Sequence, residues 1–227
     1  MRSSRGSTPT PPPQVESTDR GKTRRNGERV ARIAVNVGGA LLAALFARKY
    51  LLYYLHSDRL IGVAFFAQQM WIMIAFLARR APRAASRRAG DWALAFAGTF
   101  GGVLLQPSGL HTRWGLDAGF VLQLAGLAIS VASLLALGRS FGSVAADRGI
   151  VARGPYAVVR HPLYAGYLLI LVGYLLQSIS VWNVVVILFV IGCDVGRSLV
   201  EERLLATSEE YGDYRRHVRW RLVPGLW

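Results

Sequence analysis

Between Gly154 and Pro224 the chain gathers side chains suited to ion recognition and proton transfer. The run Arg160-His161-Pro162-Leu163-Tyr164-Ala165-Gly166 places a permanent guanidinium, an imidazole that titrates near neutral pH, a phenol and a glycine close together. A second cluster holds Asp194, Arg197, Glu201 and Glu202. Asp194, Arg197 and Glu201 step by three and four, so a helix carries them on one face. Such a face is often an exposed ladder of ion pairs, and Arg, Tyr and Pro are ordinary residues of a membrane interface. Asp194 and Arg197 differ because they abut an apolar run, and ionisable groups at membrane depth face a protein interior or an aqueous cavity.

The combined inventory suits a zwitterionic cofactor. S-adenosylmethionine carries a carboxylate, an ammonium, a sulfonium and an adenosine, which call respectively for Arg, for Asp or Glu, for an aromatic or carbonyl cage, and for a flat pocket. A metal site is not expected: His56 and His111 are predicted on the opposite side from His161, and no close ligand spacing occurs. The single cysteine, Cys193, sits in an apolar run and reads as a small buried hydrophobe.

These residues need a scaffold, and composition says which kind. Hydrophobic residues make up 52% of the 227 positions and charged residues only 18%, too apolar for an ordinary soluble domain. The net charge of +14 raises nucleic acid as a partner, but the basic residues flank apolar runs and do not line a polar, aromatic-studded face. Anionic lipid headgroups fit that placement better, and no nucleic-acid partner is expected. Residues 1–32, with Pro11-Pro12-Pro13 and scattered Ser, Thr and Arg, read as a disordered basic tail.

Apolar segments follow at Ile33 to Leu55, Leu60 to Ala78, Trp92 to Gln106, Ala118 to Gly138, Tyr164 to Gln177 and Val181 to Val200. The expected fold is therefore all-α, a polytopic helical membrane protein of five to six transmembrane segments. The last two segments form a tight hairpin turned at Ser178-Ile179-Ser180, followed by a polar catalytic tail. Several segments are short against the roughly 20 residues that a spanning helix needs. Positive charge is retained in the cytoplasm. Six crossings put the N-terminal tail, Arg79, Arg80, Arg83, Arg87, Arg88, Arg139, Arg148, Arg153, Arg160 and the C-terminal arginines on one side, leaving Arg48, Lys49, Arg59 and Arg113 on the other. Both termini and the polar clusters are thus expected in the cytoplasm. Arg48 and Lys49 interrupt the first span and call for snorkelling or a short first helix.

From about Ala136 onward the sequence resembles the isoprenylcysteine carboxyl methyltransferase family of membrane methyltransferases, relatives of the phospholipid N-methyltransferases. The resemblance rests on L-G-R-S-F at Leu137 to Phe141, G-P-Y-x-x-V-R-H-P-x-Y-x-G at Gly154 to Gly166 and E-E-x-x-L at Glu201 to Leu205, then Y-x-x-Y-R-R-x-V at Tyr211 to Val218 and Leu222-Val223-Pro224. It implies N-terminal transmembrane helices over 33–135 and a methyltransferase core over 136–227 that binds S-adenosylmethionine. It further implies cofactor contacts from Arg160, His161, Pro162, Tyr164, Gly166, Glu201 and Glu202, with Arg197 and Glu202 as the catalytic candidates. The expected acceptor is lipophilic or membrane-associated. A carboxylate held by Arg197 leads, because it is already ionised and needs no base. Amine and thiol acceptors remain open, as do a membrane reductase using NADPH and a non-catalytic scaffold or transporter.

Overall fold

The structure is a computed structural model that describes residues 15–57, 61–78, 84–85, 88–106, 108, 110, 112–141, 146–147 and 149–227. Seven α-helices dominate the described residues: α1 Val15–Ser57, α2 Ile61–Ala78, α3 Ala89–Phe100, α4 Arg113–Leu137, α5 Pro162–Gln177, α6 Val181–Leu205 and α7 Glu209–His217. A two-residue antiparallel pairing of Ala84–Ala85 with Ala146–Asp147 is the sole named sheet among the described residues. Among the described residues, three helical stretches are long and apolar enough to cross a bilayer: Arg29–His56, Arg113–Ser140 and Val181–Leu205. By length and composition these are candidate membrane spans.

The other apolar segments are helical but shorter than a full span. α3 has 12 residues and passes into a 3-10 turn at Gly101–Leu104, and α5 has 16. The helix α1 is drawn from Val15, within the stretch read from sequence as a disordered tail, while residues 1–14 lie outside the described residues. It runs unbroken through Arg48 and Lys49, both exposed, so the first helix is not shortened at that pair.

Small residues set the closest packing. α4 and α5 run antiparallel with Gly119 against Gly173 and Gly126 against Gly166. A Cβ added at Gly126 would lie 2.5 Å from the Gly166 carbonyl oxygen, and one added at Gly119 would lie 2.5 Å from that of Gly173. Close backbone approach replaces the missing hydrophobic drive between helices in lipid. Ser130, fully buried, fits the same seam by donating to its own helix at Gly126 O, 2.8 Å away. α1 and α2 form a second antiparallel pair, with Gly39 opposite the Phe76 ring and Tyr50 stacked on Phe65 at 5.0 Å.

The sequence reading expects α5 and α6 to pack as one tight hairpin. The turn at Ser178–Ser180 is there, but α5 packs chiefly along α4, and α6 chiefly along α3. The reason is steric, because the glycines of α5 face α4 and let it come closer than any partner lined by Leu and Val. α5 and α6 still meet through Leu171, Val186, Ile187 and Val190. Their turn is clamped to the end of the α3 segment by Asn183, which is fully buried. Its amide nitrogen donates to Gln106 O and Ser178 O, both at 2.8 Å, and its oxygen accepts from Gln106 N at 3.1 Å. This fixes the end of the bundle opposite the polar clusters.

Candidate active site

Pro162 starts α5 and is fully buried, with His161 outside the helical region before it, at φ −127° and ψ 58°. The preceding loop is then stitched to the chain after α7. Arg160 N donates to Trp220 O and His161 N to Arg221 O, each at 2.8 Å, beside a parallel bridge of Val159 with Trp220. Tyr214 OH donates to Tyr156 O at 2.7 Å and ties α7 to the same loop. Burial pushes the Tyr156, Tyr211 and Tyr214 hydroxyls above the ordinary tyrosine range, so all three stay neutral at physiological pH.

Glu202, near the end of α6, is the hub of this assembly and is 6% exposed. Its Oε1 accepts from Arg160 Nε at 2.8 Å and lies 3.2 Å from His161 Nε2. Arg221 Nε lies 3.1 Å from both carboxylate oxygens, and Arg221 Nη2 is 3.1 Å from Oε2. The Arg160 guanidinium also donates through Nη1 to Val218 O and Arg219 O, at 3.1 and 2.8 Å. Glu202 is therefore saturated by charge-assisted bonds, and its role is to fasten three segments together.

Glu201 has a different environment. One oxygen accepts from Tyr164 OH at 2.5 Å, and the other lies 3.7 Å from His161 Nδ1. Its side chain keeps 22% of its surface exposed against 7% for Glu202, so of the two carboxylates it is the one open to a ligand. The His161 and Tyr164 rings stack at 5.8 Å, forming a flat aromatic wall beside it.

A third layer lies deeper. Arg197 Nη1 pairs with Asp194 Oδ1 at 3.0 Å, and its guanidinium carbon sits 4.9 Å over the Tyr164 ring. Gly98 of α3 makes room for the pair, since a Cβ there would lie 2.6 Å from Asp194 Oδ1. A narrow cleft continues inward between α5 and α6, lined by Leu168, Leu171, Ile191, Val195 and Leu222, with Tyr164 and Asp194 as its polar members.

Of the residues singled out from sequence, the structure brings Arg160, His161, Tyr164, Glu201 and Glu202 into one network and places Arg197 against Tyr164. Pro162 shapes the entry to α5. At Gly166 the space of a Cβ is taken by α4, at Ser130 and Gly126, so its absent side chain serves helix packing. His56 and His217 are exposed and bond to carbonyls of their own helices, Leu52 O at 2.7 Å and Asp213 O at 2.9 Å, while His111 lies outside the described residues.

Sequence reasoning missed Arg221 and Gly98. Arg221 lies 19 positions from Glu202 with no helical register between them, and its only signal is its place before Leu222-Val223-Pro224. Gly98 has none.

A search of curated proteins finds no match. Among protein families, the model of the phospholipid methyltransferases matches residues 114–213. The match takes in α4, whose close seam with α5 positions the loop that carries Arg160 and His161, and ends within α7. Over residues 114–213 the chain is thus similar to the phospholipid methyltransferases, a group of membrane methyltransferases related to the isoprenylcysteine carboxyl methyltransferases.

Proposed function

We propose that the chain is an S-adenosylmethionine-dependent methyltransferase acting on a lipophilic or membrane-associated acceptor. The observation that carries this reading is the convergence of Arg160, His161, Tyr164, Glu201, Glu202 and Arg221 on one buried charged network, beside an apolar cleft. The donor set fits the cofactor. Glu201 offers a partly open carboxylate to an ammonium, the two arginines on Glu202 leave one excess positive charge for a carboxylate, and His161 with Tyr164 offers flat rings.

S-adenosylmethionine supplies an electrophilic methyl on a sulfonium: an acceptor lone pair bonds to that carbon as the carbon–sulfur bond breaks, leaving S-adenosylhomocysteine. The chain's own contribution is alignment and exclusion of water. The apolar side chains beside Tyr164 and Asp194 suit the lipophilic part of an acceptor whose polar end meets those two groups. The sequence reading favours a carboxylate acceptor held by Arg197. The pairing of Arg197 with Asp194 makes that corner neutral and favours an amine instead, as does the similarity to phospholipid methyltransferases. The amine reacts as its neutral form, and its proton leaves to Glu201 or Asp194, the carboxylates nearest the cleft. On this reading the network faces the cytoplasm, where the arginine-rich segments are expected.

Isothermal titration of the full chain in detergent with S-adenosylhomocysteine tests the cofactor. Binding is expected, weakened about tenfold in Glu201→Gln, which removes a charged partner. A folded protein that binds neither form of the cofactor overturns the proposal, and a thermal shift with NADPH alone would move it to the reductase class. Incubating membrane extracts with methyl-labelled cofactor and reading the products by mass spectrometry identifies the acceptor. Label on an amine is expected, and label only on carboxylates would restore Arg197 as the acceptor's anchor.

A further inference from the structure

Among the groups that hold Glu202, Arg221 alone comes from outside the loop before α5. Its own position is set by the last residues of the chain. Trp227 folds back so that its ring lies 4.9 Å from the Arg221 guanidinium carbon. The turn that returns it is closed on both sides. The Trp227 carbonyl oxygen accepts from the backbone N–H groups of Arg221, Leu222 and Val223 at 2.9, 3.1 and 3.3 Å. In the other direction, Val223 O accepts from Leu226 N and Trp227 N at 3.1 and 3.2 Å. Gly225, at φ 82°, supplies the left-handed residue that the return needs.

The geometry points to Arg221 and Trp227 as positioning residues of the cofactor site: Trp227 holds the Arg221 guanidinium over Glu202, and Arg221, whose carbonyl oxygen accepts from His161 N, in turn fixes the loop that presents His161 beside Glu201. A guanidinium on a flexible stem loses rotamer freedom when it engages a carboxylate, and a ring already stacked on it lowers that loss. Arg221 keeps 23% of its side chain exposed, and its guanidinium is held between the Trp227 ring and the Glu202 carboxylate. The N–H trio at 221–223 is occupied by Trp227 itself, which makes 218–227 a self-closed strap across the end of α6.

This inference rests on the proposed cofactor reading, and the experiment separates the two. Full-length wild type, Trp227→Ala, Trp227→Phe and Arg221→Lys are titrated with S-adenosylhomocysteine in detergent, with circular dichroism and thermal melting to verify the fold. Wild type binds, Trp227→Ala weakens binding about tenfold, the size of one partly desolvated cation–π contact, and Trp227→Phe recovers most of it. Arg221→Lys keeps the charge and loses the planar fork, and is also expected to weaken binding about tenfold. Should Trp227→Ala fail to fold, Arg221→Lys and Trp227→Phe carry the test. Wild-type affinity in Trp227→Ala or in Arg221→Lys overturns the inference while leaving the cofactor reading intact. Absence of binding in wild type overturns both.

Discussion

At the scale of single residues, the site separates charges by how fully they are satisfied. Glu202 is wrapped by Arg160, His161 and Arg221, Glu201 is bonded by Tyr164 yet partly open, and Asp194 and Arg197 neutralise one another at 6% and 7% exposure. A buried pair of this kind is costly to break and cheap to replace as a unit, because removing one partner strands the other charge away from water. Asp194→Ala is therefore expected to destabilise the fold by about 3 kcal/mol. The double variant Asp194→Leu with Arg197→Met should recover most of that stability in thermal melts. If the double variant melts no higher than the single, the pair contributes through something other than mutual neutralisation.

At the scale of elements, the seam between α4 and α5 decides where the loop carrying Arg160 and His161 emerges. Gly126 and Gly166 sit backbone to backbone, so an added methyl meets a carbonyl that has no freedom to rotate away. Gly126→Ala is expected to cost about 2 kcal/mol through forced separation of the helices. By contrast Gly192→Ala on α6, where an added Cβ meets nothing within 4 Å, should be neutral or mildly stabilising, because alanine is the better helix former. Thermal melting of the two variants side by side checks this. Equal effects would mean that the seam yields more readily than its geometry implies.

At the scale of the whole molecule, the bundle has two unlike ends. One end carries the network of Arg160, Glu202 and Arg221 with the exposed Arg215, Arg216 and Arg219, and the other carries Arg113 and the Asn183 clamp. The charge asymmetry predicts that the first end is cytoplasmic. With Cys193→Ala as background, Arg216→Cys should react with a membrane-impermeant maleimide only in vesicles that expose the cytoplasmic face. Arg113→Cys should react only in vesicles of the opposite orientation. Labelling of both from the same side would remove the proposed topology.

The sequence by itself determined the helical, apolar character of the chain and the two polar clusters. Hydrophobic runs and local spacings of three and four residues are properties of the linear order, and so Asp194 and Arg197 were legible as neighbours on one helix face. The six apolar segments were likewise legible, though not which of them reach spanning length, since Gly101 and Gly102 end the helical run of α3 early. What the tertiary structure alone decided was the division of labour between Glu201 and Glu202. Adjacent on the chain and alike in chemistry, they differ only because helix rotation turns one toward Tyr164 and the other into the arginines. The same holds for Arg221, for Gly98 and for the preference of α5 for α4 over α6, all set by contacts between residues far apart in the chain. No local pattern encodes them, because they depend on which surfaces approach most closely once the helices pack.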